Sequence, residues 1–150
     1  MNVVRERECM PPSHILVPLD GSPLANEALA HAVETYDCSV TVLNVVTPLD
    51  AGMSEGGILD LEDDRVVEAR ERAERLVKRA CDDVGNDSVE TVVETGDPAD
   101  VIVEFVDEHD VDHVIMGGHG GDQSSVARRL LGTVATKVVG EAPVTVTVVR

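Results

Sequence analysis

Four glycines crowd five positions at Gly117, Gly118, Gly120 and Gly121, with His119 between them. Glycine lets backbone come close to a ligand and turn successive N–H groups inward, and a helix that follows adds the positive end of its dipole. Phosphate is the natural guest of that arrangement. A plain connecting loop is the alternative reading of the same residues. Asp20, in the turn Pro18-Leu19-Asp20-Gly21-Ser22, is a second candidate. Its carboxylate could accept hydrogen bonds from a ligand, or close its own turn through the backbone.

Catalytic signals are weak. No lysine lies in the glycine loop, so it is not a P-loop of the GxxxxGK[ST] kind, and neither GxSxG nor HExxH occurs. Ser124 and Ser125 follow His119 closely, yet no orienting carboxylate completes a triad. No residue is assigned as catalytic. Binding of a phosphate-bearing ligand, with at most slow incidental hydrolysis, is the expectation, and an enzyme using His119 as acid or base is the lesser rival. Arg128 and Arg129 fall on the outer side by helical spacing, and Asp122 is a weak candidate for holding a metal bound to that ligand. His14, His31, His109 and His113 are scattered and read as solvated or partly packed.

The elements that must position these residues alternate strand and helix. His14–Leu19 is a nearly continuous apolar run, as in a strand covered on both faces. Ser22 can cap a helix whose first position is Pro23, with Ala25, Ala28, Leu29, Ala32, Val33 and Tyr36 as its inner stripe. A second strand covers Ser39–Val46. After a polar stretch with Gly52, Gly56 and Gly57, a helix runs from about Asp60 to Val84. Val89–Glu94 is a third strand, and Asp97-Pro98 repeats the cap-then-proline signal. His113–Gly117 is the fourth strand. A stripe of Val126, Ala127, Leu130, Leu131, Val134, Ala135, Val138 and Val139 predicts a helix through Gly132 that ends at Gly140. Pro143 opens the last strand, Val144–Val149.

Five strands alternating with four helices predict an α/β fold: an open, doubly wound, parallel five-stranded sheet with helices on both faces. If strands one to three wind one way and four and five the other, the first and fourth are neighbours, and their following loops meet where ligands bind in such sheets. Residues 1–13 read as a flexible N-terminal extension and 14–150 as one domain.

Composition narrows the partners. The 150 residues carry 29 acidic and 12 basic side chains, a net charge of −17, and only two lysines, Lys78 and Lys137. That surface repels nucleic acids and anionic membranes. Three unpaired cysteines, Cys9, Cys38 and Cys81, give neither a disulfide framework nor a zinc pattern. Cys38 and Cys81 are expected to be buried. No apolar run reaches the roughly 20 residues of a membrane span, and the N-terminus lacks a signal-peptide core, so a cytoplasmic protein is expected.

Ile15-Leu-Val-Pro-Leu-Asp-Gly-Ser-Pro23, the stretch from Thr95 to Gly120, and Leu130 to Arg150 together resemble the universal stress protein family over nearly the whole chain. The resemblance implies a Rossmann-like sheet of the adenine nucleotide alpha-hydrolase-like kind. It also implies an ATP-binding or non-binding branch, the former marked by Gly, two residues, Gly, nine residues, then Gly with Ser or Thr. Gly117, Gly120 and Gly132-Thr133 match that motif, but eleven residues separate Gly120 from Gly132. The implied nucleotide site comprises amides at Gly120, Gly132 and Thr133 with the Thr133 hydroxyl on phosphates, Asp20 on ribose or adenine, and Pro18, Val45 and Met116 around the base. Leu19 and Val134 flank these residues, and His119 lies near ribose or phosphate. The ligand would be ATP, with ADP or AMP as substitutes, and Mg²⁺ or Mn²⁺ arriving with it. Asn44, where relatives often carry His, is expected to touch the pocket little. The implied role is a nucleotide-responsive regulator in the stress response. The last strand, where Val144, Val146 and Val148 alternate with Thr145, Thr147 and Val149, is an edge with little charge and is expected to pair two copies in a homodimer.

The charge carries a test of its own, because it suits a salty (halophilic) cytoplasm. Raising KCl shortens the Debye length from about 10 Å at 0.1 M to about 3 Å at 1 M. The thermal midpoint, followed by circular dichroism, is expected to rise across that range. An unchanged midpoint would remove salt adaptation from the reading.

Overall fold

The computed structural model describes residues 11–47, 64–85, 89–118 and 131–150. In chain order the elements are β1 (His14–Pro18), α1 (Pro23–Thr35), β2 (Ser39–Val46), α2 (Asp64–Val84), β3 (Glu90–Thr95), α3 (Pro98–Glu108), β4 (His113–Gly117), α4 (Thr133–Glu141) and β5 (Thr145–Val149). All pairings are parallel, in the order β3-β2-β1-β4-β5. The winding therefore reverses between β1 and β4, where Ile15 and Leu16 pair with His113 and Val114. This is the expected open, doubly wound α/β fold.

Alternation along the strands sorts the core into two layers. Ile15, Val17, Val40, Val42 and Ile115 pack with Ala28, Leu29 and Ala32 of α1 and Val77 and Ala80 of α2. Leu16, Leu43, Val114 and Met116 turn to the other face, against Ile102, Phe105 and Val106 of α3 and Ala135 and Val138 of α4. With so few aromatic side chains, alanine stripes let the helices lie close to the sheet. Ser22 accepts from Ala25 N at 3.3 Å and Asp97 from Asp100 N at 3.2 Å, both with proline opening the helix. Each cap is worth about 1 kcal/mol. Lys137 ties α4 to the start of α3, 2.6 Å from Asp100 and 3.9 Å from Asp97.

Several bounds differ from the sequence expectation. β1 stops at Pro18, β3 is shifted one residue later, and Val144 precedes β5. α4 starts only at Thr133, with Gly132 as its N-cap, and continues past Gly140 to Glu141. Leu131 is half-buried outside any helix, and Val126, Ala127 and Leu130 lie outside the described residues. Apolar spacing persisted through Leu131 because packing continues there, although the helical hydrogen bonds begin only with Thr136 N donating to Gly132 O at 2.9 Å. Residues 60–63, expected to begin the second helix, and the extension's residues 1–10 lie outside the described set as well. Cys38 and Cys81 are half-buried rather than buried, and burial raises both thiols above their usual pKa.

The end of the sheet away from the β1 and β4 C-termini holds its polar groups in pairs. His14 Nε2 meets Thr41 Oγ1 at 2.8 Å, and His113 Nε2 meets Thr147 Oγ1 at 2.8 Å. His113 is buried, with the Tyr36 ring edge-on at 5.7 Å. It is thus a packed core histidine. Burial holds its imidazole below the ordinary value of 6.5, His31 adds to that push, and Asp112 opposes it. Between the lowered folded value and the ordinary one, the unfolded chain binds more protons, so stability must drop as pH falls through that window. Thermal midpoints are expected to decline from about pH 7 to about pH 5.5, and less steeply in His113→Gln. Equal slopes in the two proteins would take His113 out of the acid response.

Candidate functional site

At the C-terminal ends of β1, β2 and β4 lies a cleft of about 640 Å³, within the usual range of about 300–1,000 Å³ for ligand pockets. Its floor is the loop after β1. Leu19 N donates to Leu43 O at 2.9 Å, and Asn44 Nδ2 donates to Leu19 O at 2.7 Å. Asp20 follows, with Oδ1 accepting from Ser22 N at 2.9 Å. Asp20 thus closes its own turn through one carboxylate oxygen. Gly21 takes φ +86°, the left-handed region that glycine enters without cost, and a Cβ there would meet Leu76 Cδ1 at 2.7 Å.

The glycines after β4 have structural duties. A Cβ on Gly117 would stand 2.9 Å from Ala25 N and 3.0 Å from Leu24, so β4 ends hard against the first turn of α1. Gly118 N donates to Val149 O at 2.7 Å, and Gly118 O accepts from Gly132 N at 2.6 Å. One residue thus ties the end of β4 to both β5 and the start of α4. The Gly132 amide, implied to hold phosphate, makes a backbone bond instead in this structure.

Three helices begin at this cleft: Ser22 and Ala25 of α1, Pro98 of α3, and Thr133, Val134 and Ala135 of α4 line it. Side chains cap α1 and α3, whereas Gly132 gives α4 no side-chain cap. The first-turn N–H groups of a helix have no partner within it, so α4 offers its donors and dipole to the cleft.

The structure brings Pro18, Leu19, Asp20, Val45, Met116, Gly117, Gly132, Thr133 and Val134 together in the cleft lining. Met116 is both core and wall, being 5% exposed. His119 and Gly120 lie outside the described residues, with Asp122, Arg128 and Arg129. Contrary to expectation, Asn44 lines the cleft. A lone amide in the apolar run Ser39–Val46 was its available signal. The wall from α2, with Ala69, Arg72, Ala73 and Leu76, was also missed. Its alanines look like ordinary packing positions in the sequence. Among the described lining residues there is no histidine or cysteine, and no group of three or more His, Cys, Asp or Glu is placed to hold a metal. The Asp20 carboxylate, the start of α4 and the apolar side chains of Pro18, Val45 and Met116 thus share one cleft.

A sequence model of the universal stress protein family matches residues 12–150. The chain belongs to the universal stress protein family. It is 32% identical over 141 residues to a universal stress protein of Methanocaldococcus jannaschii, spanning 91% of this chain and 81% of that protein. It superposes on the universal stress protein UspA from Lactobacillus plantarum with a TM-score of 0.75 at 24% identity, covering 94% of this chain and 99% of that one. A universal stress protein from Archaeoglobus fulgidus in complex with dAMP gives a TM-score of 0.61 at 24% identity, covering 94% of this chain and all (100%) of that one. Among the described residues of this universal stress protein, no helix is long and apolar enough to cross a membrane.

The close approach at Gly117 is testable. Gly117→Ala places a methyl against backbone that cannot swing aside, an overpacking that typically costs about 1–3 kcal/mol. Urea denaturation is expected to register a loss of that size. A neutral result would mean that α1 shifts freely on β4.

Proposed function

We propose that this universal stress protein binds an adenine nucleotide, ATP or in its place ADP or AMP, and serves as a nucleotide-responsive regulator in the stress response. One observation carries the reading: the uncapped start of α4, with the Thr133 hydroxyl, lines the same cleft as the Asp20 carboxylate. A nucleotide has complementary parts. Its phosphates suit the N–H groups of α4, its ribose hydroxyls suit Asp20, and its base suits Pro18, Val45 and Met116. The dAMP held by the Archaeoglobus relative adds support from a protein of the same fold. Mg²⁺ or Mn²⁺ would come with the phosphates. A homodimer through the last strand belongs to this reading, supported by β5 standing at the sheet edge. There Val146 and Val148 are half-buried against the α3 and α4 layer, so the outer edge offers mainly its backbone.

A second reading has its own observations. The eleven residues between Gly120 and Gly132, and the Gly132 N–H given to Gly118 O, suit a member whose cleft stays empty and whose dimer surface does the work. The two readings part on a direct measurement. Protein denatured in high salt is expected to release adenine nucleotide in near-stoichiometric amount, or the stripped protein to bind ATP in the micromolar range. Thr133→Val, which removes one hydroxyl donor, is expected to weaken binding by about tenfold. No nucleotide and no binding, with or without Mg²⁺, would overturn the proposal in favour of the interaction module.

A further inference from the structure

Three polar side chains are buried among the described residues: Thr41, Asn44 and His113. Thr41 and His113 pair with other side chains, His14 and Thr147, away from the cleft. Asn44 is different. It is 8% exposed, lies in the cleft lining, and spends its amide on a main-chain carbonyl 25 residues earlier, Leu19 O. Its neighbours in β2, Leu43 and Val45, are apolar, and a third aliphatic residue would pack there without the desolvation cost of an amide.

We propose that Asn44 is a positioning residue that sets the Asp20 carboxylate for a ribose. That role rests on the nucleotide binding proposed above. The Leu19 carbonyl belongs to the peptide plane that leads into Asp20, so a 2.7 Å bond to its oxygen fixes where the Asp20 Cα sits. Leu19 N, bonded to Leu43 O, holds the other side of the same residue. Ser22 N then anchors Asp20 Oδ1, which leaves Oδ2 at a defined place. A carboxylate oxygen so placed suits the vicinal hydroxyls of a ribonucleotide. Without Asn44 the plane is free to turn, and the Leu19 carbonyl is left without its donor.

The test compares ATP with 2′,3′-dideoxy-ATP, which lacks the hydroxyls Asp20 would accept. Asn44→Leu and, should that variant fail to fold, Asn44→Thr are titrated with both nucleotides, alone and combined with Asp20→Ala. ATP affinity is expected to drop by about tenfold, the worth of a hydrogen bond to a charged group. Affinity for the dideoxy nucleotide is expected to stay put, and Asp20→Ala to cost nothing more in the double variant. Asn44→His, which restores a ring N–H donor, is expected to recover ATP binding. Equal losses for both nucleotides, or additive losses in the double variant, would reduce Asn44 to a packing residue and leave the nucleotide site standing. Wild-type protein that binds neither nucleotide would overturn the site and this proposal together.

Discussion

Much of the cleft depends on the absence of one atom. β4 ends so close to the first turn of α1 that no Cβ fits on Gly117, and that contact sets the depth at which α1 starts. The position of Ser22, and so of the Asp20 turn bonded to it, follows from the same contact. Gly118 extends the constraint sideways, because its two backbone groups hold β5 on one side and the entrance to α4 on the other. The site is therefore assembled from loops that are far apart in sequence, held by main-chain bonds at Gly118 and Leu19 and by the side chains of Asp20, Ser22 and Asn44.

That division explains what the sequence disclosed. β2 and β4 match their apolar runs residue for residue, and the caps at Ser22 and Asp97 sit where a polar residue precedes proline. These are local signals. The crossover of β1 and β4 also followed, since alternating elements leave few topologies. What stayed hidden was non-local. The helical stripe was expected to run through Leu131 and Gly132, because periodicity reports burial, and Leu131 is half-buried without being helical. Asn44 looked like an incidental polar residue, since nothing in β2 reveals that its partner is a carbonyl in the turn after β1. Glycine was legible as a type, but not the division of labour between Gly117, which yields space, and Gly118, which makes bonds.

Charge is distributed less evenly than the total suggests. α2 carries Arg65, Arg70, Arg72, Arg75, Lys78 and Arg79, half of the 12 basic residues, against six acidic ones. The helix is locally neutral, and the whole net charge of −17 resides elsewhere. The cleft wall that α2 supplies is thus far less hostile to an anion than the average surface. At an ionic strength where the Debye length is about 10 Å, an approaching phosphate responds to that local balance as much as to the total charge.

The bond from Gly118 N to Val149 O has a further consequence, in the order of synthesis. β5 leaves the ribosome after the other four described strands, yet it supplies the acceptor that seats the glycine behind β4. Until it arrives, β4 is itself a sheet edge with a bare ladder of donors and acceptors. A nascent chain of four strands is consequently a species for chaperones to shield rather than a smaller version of the finished protein. Seating of the glycine behind β4 and protection of the central sheet are acquired together, when β5 docks.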